Sequence, residues 1–174
     1  MTTVPRILTI QDMSSIGRCS LTVMLPIISA LGCQAVPLAT AVLSNHLEYP
    51  YFEIVDLSDH LTAFMDCWEK NEIDFNAIVS GFLASPEQIH LVEEAINRFG
   101  KDKMVIVDPA MADDGRLYSI YTPDMVKAMR HLISRAHIVK PNYTEACFLL
   151  DKPFSTDPIS DDELHDMCQK LHQL

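Results

Sequence analysis

Residues 77–108 read AIVSGFLASPEQIHLVEEAINRFGKDKMVIVD. Two short runs rich in β-branched residues, Ala77–Ser80 and Met104–Asp108, flank a longer amphipathic stretch. Ser85-Pro86-Glu87 opens that stretch with a capping hydroxyl, a proline suited to the first helical position and an acid in the first turn. Strand, amphipathic helix and strand within about 30 residues is the pattern of a β-α-β unit, whose two strands lie parallel.

The same alternation extends in both directions and predicts an α/β domain with a mainly parallel sheet. Further strands are expected near Arg6–Ile10, Ala35–Thr40 and His137–Val139. A helix is expected from about Cys19 to Leu31, stopped by Gly32 in a left-handed cap, with Pro26 as a kink. Another should open at Asp56 to Asp59, a further one at Thr122-Pro123-Asp124, and the last at Ser160-Asp161-Asp162-Glu163, a capping-box pattern. The aromatic segment Ser44–Glu53 reads as a flap or small edge strands beside a site. With no internal repeat and no linker, residues 1–174 are expected to form one domain.

Composition narrows the function. With 48% hydrophobic and 21% charged residues over 174 positions, the chain can bury one large core. No apolar run is long enough to cross a bilayer, so no membrane partner is expected. A formal charge of −11, with only 13 dispersed Lys and Arg, argues against nucleic acid, which demands clustered cations. Met-Thr-Thr-Val-Pro-Arg leads straight into Ile7-Leu8-Thr9-Ile10 without a basic segment or a small-residue cleavage site, and a cytoplasmic location is expected. The five cysteines are odd in number, scattered and never in a C-x-x-C pair, which suggests neither a disulfide framework nor a zinc site.

In open parallel sheets the ligand crevice lies beyond the carboxyl ends of the strands. Polar residues gather there: Gln11-Asp12-Met13-Ser14-Ser15-Ile16-Gly17, Ser80-Gly81-Phe82, Asp108 through Gly115, and Lys140-Pro141-Asn142-Tyr143-Thr144-Glu145. Each piece also has an ordinary structural explanation. Asp113-Asp114-Gly115 is a good turn sequence, and Asn142 and Glu145 are spaced as a helix cap and its capping-box acid. The chemical explanation is that Asp108, Asp113 and Glu145 offer hard oxygens, directly or through water, to the Mg²⁺ that accompanies ATP phosphates. Both explanations stand at this point. G-x-x-x-x-G-K-[ST], G-x-G-x-x-G and G-x-S-x-G are all absent, which removes the common Walker-type, dinucleotide and hydrolase readings. None of the 7 histidines shows tight metal spacing. Only His46 falls in a candidate pocket segment, while His165 and His172 look like solvated helix positions. Cys19, beside Arg18, reads as a buried thiol or as one with a lowered pKa.

Taken together, Ile10-Gln11 followed by a polar residue, Ser44-Asn45-His46, Ser80-Gly81-Phe82, Val107-Asp108-Pro109-x-Met111-x-Asp113 and Pro141-Asn142-x-x-Glu145 resemble the pyridoxal kinases of the ribokinase-like superfamily in order and spacing. The match covers nearly the whole chain. The opening stretch Gln11 to Thr22 is similar to the bacterial branch often labelled pyridoxamine kinase. The resemblance implies a three-layer α/β/α fold and ATP-dependent phosphorylation of the 5'-hydroxymethyl group of pyridoxal, pyridoxamine or pyridoxine. It also implies Mg²⁺, K⁺ as a further cation, and a homodimer. By matching position, Asp12 meets the vitamin's ring nitrogen or 3-hydroxyl, Ile16 covers the ring, and His46 belongs to the same pocket. Phe82 stands where the family usually has a Tyr against the pyridine, and Leu47 replaces a usual Thr, which removes one hydrogen bond to substrate. Asp108 and Asp113 match the acidic pair beside phosphates and cations, and Asn142 with Glu145 matches the Mg²⁺-organising motif. Lys140 occupies a position often held by Thr, within reach of a phosphate, and Ala112 replaces a Gly, with strain expected if positive φ is needed there.

The family's Gly-Thr-Gly-Asp motif, which supplies an anion hole and the Asp that activates the attacking hydroxyl, is absent, so no catalytic base is assigned. Phosphoryl transfer depends on positioning and charge stabilisation. The resemblance therefore implies that the C-terminal portion is absent, that the natural protein continues beyond Leu174, and that these residues do not turn over alone. A hydroxymethylpyrimidine kinase shares the fold and the Asn/Glu motif, but its glycine-rich opening is replaced by Gln11-Asp12-Met13. A ribokinase-type sugar kinase lacks support because its N-terminal Gly-Gly signature is missing. A catalytically silent module that binds vitamin B6 or nucleotide is the alternative from another class.

Overall fold

A computed structural model describes residues 4–174. In chain order the elements are β1 (Arg6–Ile16), α1 (Leu21–Ala30), β2 (Gln34–Asn45), β3 (Ile54–Asp56), α2 (Ser58–Lys70), β4 (Ala77–Ser80), α3 (Pro86–Phe99) and β5 (Met104–Val107). The hairpin β6 (Ala112–Asp113) and β7 (Arg116–Leu117) follows, then α4 (Pro123–Ile133), β8 (Ile138–Val139), α5 (Tyr143–Leu149) and α6 (Asp161–His172). Six strands make one sheet in the order β3-β2-β1-β4-β5-β8, parallel throughout except at the antiparallel edge strand β3. It is the ribokinase-like α/β arrangement. The strand order reverses at β1, which has β2 on one side and β4 on the other, and such a switch point is where open α/β sheets bind ligands.

The apolar runs that mark the strands fill the core: Leu8, Ile10, Leu38, Ile78 and Val107 are wholly buried. Helices α2, α3 and α4 pack in series against one another and share that core. Trp68, Phe75 and Phe99 meet edge to face there, with Phe75 and Phe99 centroids 5.2 Å apart. Outside them the Arg98 guanidinium joins α3 to α2, 2.6 Å from Asp66 and 2.7 Å from Glu69, with Glu94 2.8 Å away. Helix starts follow the local chemistry: Ser85, Thr122 and Ser160 each accept a hydrogen bond from the backbone N–H three residues on. Helix α1 packs on β1 and β2; it is apolar nearly all round, contains Pro26, and buries only Leu21 and Ile28.

Several expectations are corrected. Of the segment Gln11–Gly17, the residues to Ile16 do not leave the sheet after Ile10, because β1 and β2 run on together to Ile16 and Asn45 through a bulge between Gln11 and Met13. Polar side chains are no obstacle to a strand whose backbone groups are paired by a neighbour. Of Ser44–Glu53, the first two residues end β2, and the chain then turns into the edge strand β3, with Ser44 N–H donating to Glu53 C=O. Ala112 carries no positive φ; it is a buried β6 residue, and the two-residue turn falls on Asp114 (φ 46°) and Gly115 (φ 77°). Among the described residues no helix is long and apolar enough to cross a membrane.

Candidate functional site

A cavity of about 600 Å³ opens at the carboxyl ends of β1, β4 and β5. Strand β1 contributes Gln11, Asp12 and Ser14, and the β1–α1 loop adds Arg18, Cys19 and Ser20. Leu43, His46, Leu47 and Glu48 come from the end of β2 and the turn after it. Gly81 and Phe82 follow β4, while Asp108, Ala110, Tyr118 and Ser119 follow β5.

Asp12 sits at the bulge, outside the β1–β2 register, and bulges commonly re-aim a side chain beside a site. It is 2% exposed. The Ser14 hydroxyl donates to its Oδ2 at 3.0 Å, whereas Oδ1 has no hydrogen-bond partner although fully buried. Burial pushes the Asp12 carboxyl above the usual carboxylate range, and the Ser14 hydroxyl opposes that by favouring the ionised form. Two glycines make this wall thin. A Cβ at Gly81 would stand 2.2 Å from Gln11 Oε1, and one at Gly17, whose φ is 113°, would stand 2.4 Å from His46 Cδ2.

The opposite wall is aromatic. The Phe82 ring lies 6.2 Å from Tyr118 and 6.3 Å from Tyr121, all three tilted. Burial and then the charges of Glu145, Asp113, Glu48 and Asp108 push the Tyr118 phenol up, so it stays a neutral donor. At the β5 end, Asp108 faces the cavity and accepts a hydrogen bond from Lys140 Nζ at 3.2 Å.

Glu145 lies behind this wall, 3% exposed. Its Oε2 accepts the Asn142 N–H at 2.7 Å and its Oε1 accepts the Met111 N–H at 3.3 Å, while Asn142 Oδ1 accepts the Glu145 N–H at 2.8 Å. This is a complete capping box at the start of α5. Asn142 Nδ2 donates to Ala112 C=O at 2.9 Å, and the Gly115 N–H donates to Thr144 Oγ1 at 3.1 Å. The start of α5 thus fastens the β6–β7 hairpin at several points. Burial pushes the Glu145 carboxyl up to about 7, against backbone donation from Asn142 and Met111.

Asp12, His46, Leu47, Phe82 and Asp108 therefore converge on one cavity. Ile16 does not: it ends β1 opposite Asn45, and its side chain is 60% exposed outside the lining. Asp113, on the hairpin, is exposed and its Oδ1 accepts the Asp114 N–H, and Lys140, Asn142 and Glu145 stand outside the lining as well. Among the described residues no group of three His, Cys, Asp or Glu side chains could hold a metal ion. Asp108, Asp113 and Glu145 are accordingly not gathered into a three-carboxylate Mg²⁺ site: Glu145 is buried in its capping box, Asp113 is exposed on the hairpin and Asp108 is paired with Lys140. Ser14, Arg18, Ser20, Glu48 and Tyr118 reach the cavity without having been singled out as site residues in the sequence. A bulge, a tight loop and a hairpin bring them in, and none of these leaves a local motif.

The family model described as phosphomethylpyrimidine kinase matches residues 25–174. The chain is 27% identical over 122 residues to a pyridoxal kinase of Arabidopsis thaliana, an alignment covering 67% of this chain and 39% of that protein. It superposes with a TM-score of 0.94 and 44% identity on a Bacteroides thetaiotaomicron protein described as a phosphomethylpyrimidine kinase and crystallised with pyridoxal, covering 98% of this chain and 60% of that one. A pyridoxal kinase of Lactobacillus plantarum gives 0.86 and 28% identity, with coverage of 98% and 60%. The chain thus spans about three-fifths of the length of these solved relatives. With the matched region running through all but the first strand and the opening of α1, the chain belongs to the phosphomethylpyrimidine kinase family.

Proposed function

We propose that the cavity binds a vitamin B6 vitamer, and that the chain forms the vitamer-binding side of a kinase that uses ATP to phosphorylate the 5'-hydroxymethyl group of pyridoxal, pyridoxamine or pyridoxine. The observation that carries it is Asp12: a carboxylate oxygen buried without a partner, in a cavity with an aromatic wall. A buried unpaired acceptor is costly unless a ligand donor meets it. The ring nitrogen or 3-hydroxyl of a vitamer supplies that donor to Oδ1. The ring then lies against Phe82 beside His46 and Leu47, and the 5'-hydroxymethyl group points to the Asp108 end, where nucleotide phosphates approach.

In this proposal Asp108 and Asp113 share the phosphates' cations with water and nucleotide oxygens, the usual manner of Mg²⁺, and K⁺ is a further cation. Lys140, Asn142 and Glu145 are on the same side. Lys140 neutralises a phosphate when it leaves Asp108, and Asn142 and Glu145 hold the β6–β7 hairpin in place. Ile16 stays outside the pocket in this reading. The anion hole and the base that takes the proton from the attacking hydroxyl belong to the part of the family's length that this chain does not span. A homodimer in the cytoplasm completes the proposal.

A second reading has specific support from the family match: a hydroxymethylpyrimidine also offers an amino donor to Asp12 and carries a hydroxymethyl group. Titration of this chain with pyridoxal and with hydroxymethylpyrimidine separates the two, and an ATP-dependent assay on a full-length form tests the transfer. Tighter binding of pyridoxal supports the B6 reading; tighter binding of the pyrimidine replaces it with the second. No saturable binding of either rejects both.

A further inference from the structure

Consecutive residues of a strand ordinarily face opposite sides of the sheet. Gln11 and Asp12 are consecutive on β1, yet both line the cavity, at the point where the pairing with β2 slips between Gln11 and Met13. Gln11 is nearly as enclosed as its neighbour, 5% exposed. Its side-chain amide has a fixed sense, because Nε2 donates to Oγ1 of the wholly buried Thr9 at 3.0 Å.

Oε1 then lies beside Gly81, another residue of the cavity wall. A Cβ at Gly81 would stand 2.2 Å from Oε1, 3.1 Å from Cδ and 3.3 Å from Cβ of Gln11. Gly81 has no positive φ, and its N–H donates to Ile10 C=O at 3.1 Å. What this position needs from glycine is therefore room for the Gln11 amide, and a left-handed conformation plays no part. None of the described residues donates to Oε1. The wall thus carries two acceptors side by side, Asp12 Oδ1 and Gln11 Oε1, neither with a donor from the described protein. Acceptors so enclosed gain from a ligand donor and penalise a ligand acceptor.

On a vitamer ring the 3-hydroxyl and the group carried on C4 are neighbours, which matches two neighbouring acceptors. We infer that Gln11 is a specificity-determining residue: with the 3-hydroxyl on Asp12, Gln11 Oε1 accepts a hydrogen bond from the 4'-substituent. The cavity then prefers the 4'-ammonium of pyridoxamine and the 4'-hydroxyl of pyridoxine to the 4'-carbonyl of pyridoxal, which has no donor to give. Gly81 keeps the amide in place by leaving it room. The inference rests on the proposed vitamer pocket and adds to it the choice among vitamers.

The test is equilibrium titration of pyridoxine and of 4-deoxypyridoxine, which has a methyl group in place of the 4'-hydroxymethyl, onto wild type, Gln11→Met and Gly81→Ala. Thermal melts alongside establish that each protein is folded. Methionine keeps the length of the side chain and loses the acceptor, whereas Gly81→Ala keeps the acceptor and displaces it. The expected result is that wild type binds pyridoxine about five-fold tighter than 4-deoxypyridoxine, and that this preference disappears in both variants. Should Gln11→Met fail to fold, Gly81→Ala carries the same comparison. If wild type binds both probes equally, or the preference persists in the folded variants, Gln11 does not read the 4' position, and the pocket assignment stands without it. If wild type binds neither probe, the pocket assignment fails, and this inference with it.

Discussion

Asp12 and Glu145 are the two most deeply buried carboxylates described, at 2% and 3% exposure, and they solve the cost of burial in opposite ways. Glu145 spends both oxygens on backbone N–H groups, one in its own helix cap and one reaching to Met111 after β5. Asp12 takes one hydroxyl on Oδ2 and leaves Oδ1 bare beside the cavity. Burial pushes both acids up, so the pKa direction does not distinguish them. The hydrogen-bond account does: Glu145, with both oxygens held by backbone donors, belongs to the scaffold, whereas Asp12, which lines the cavity and has one oxygen without a partner, belongs to the candidate binding site.

The comparison breaks most visibly at Glu145. Glu145→Ala leaves two buried backbone donors unpaired and undoes the α5 cap, and unfolding in urea should show a loss of about 3 kcal/mol, roughly 6–12 °C in Tm. If stability is unchanged, the scaffold role is wrong. The pH dependence sharpens the point. The Glu145 pKa rises from 4.5 to about 7 on folding, so the folded state holds the proton more tightly than the unfolded chain. The stability tied to this group is complete below the unfolded pKa and is lost as pH rises through the folded one. From pH 5 to 8, wild type should lose about 2–3 kcal/mol relative to Glu145→Gln.

At the other pole, Asp12→Asn should leave Tm unchanged or slightly higher, since a desolvated charge disappears, while pyridoxal affinity falls at least about ten-fold. Loss of stability without loss of affinity would put Asp12 in the scaffold with Glu145. Phe82→Leu removes the ring from the aromatic wall and should cost about 1 kcal/mol in stability, with affinity about five-fold weaker by titration. The smallest effect belongs to Lys140, whose side chain is 64% exposed: Lys140→Ala should change urea stability by less than about 0.5 kcal/mol.

How far the sequence reveals this depends on how local the cause is. Strands β4 and β5 and the Ser85-Pro86 and Thr122-Pro123 helix starts are legible because β-branched runs and capping chemistry act within a few residues. Asn142 and Glu145 are legible as a pair, but both explanations of their spacing remain open until the distances show a capping box with a reach to Met111. Gln11–Ile16 is not legible as a strand, since its polar side chains hide a backbone paired by β2, and the bulge that turns Asp12 inward has no local signature. The same extension carries Ile16 away from the pocket to which its motif position had assigned it. Tyr118 comes to Phe82 through the β6–β7 hairpin, a contact set by tertiary structure alone.

The most direct measurement is equilibrium binding of pyridoxal to this chain, followed in parallel for wild type, Asp12→Asn and Glu145→Gln at a temperature where all three are folded. The account predicts saturable one-to-one binding to wild type, at least about ten-fold weaker binding to Asp12→Asn, and near wild-type affinity for Glu145→Gln. Absent binding to wild type, or equal affinity for wild type and Asp12→Asn, would contradict it.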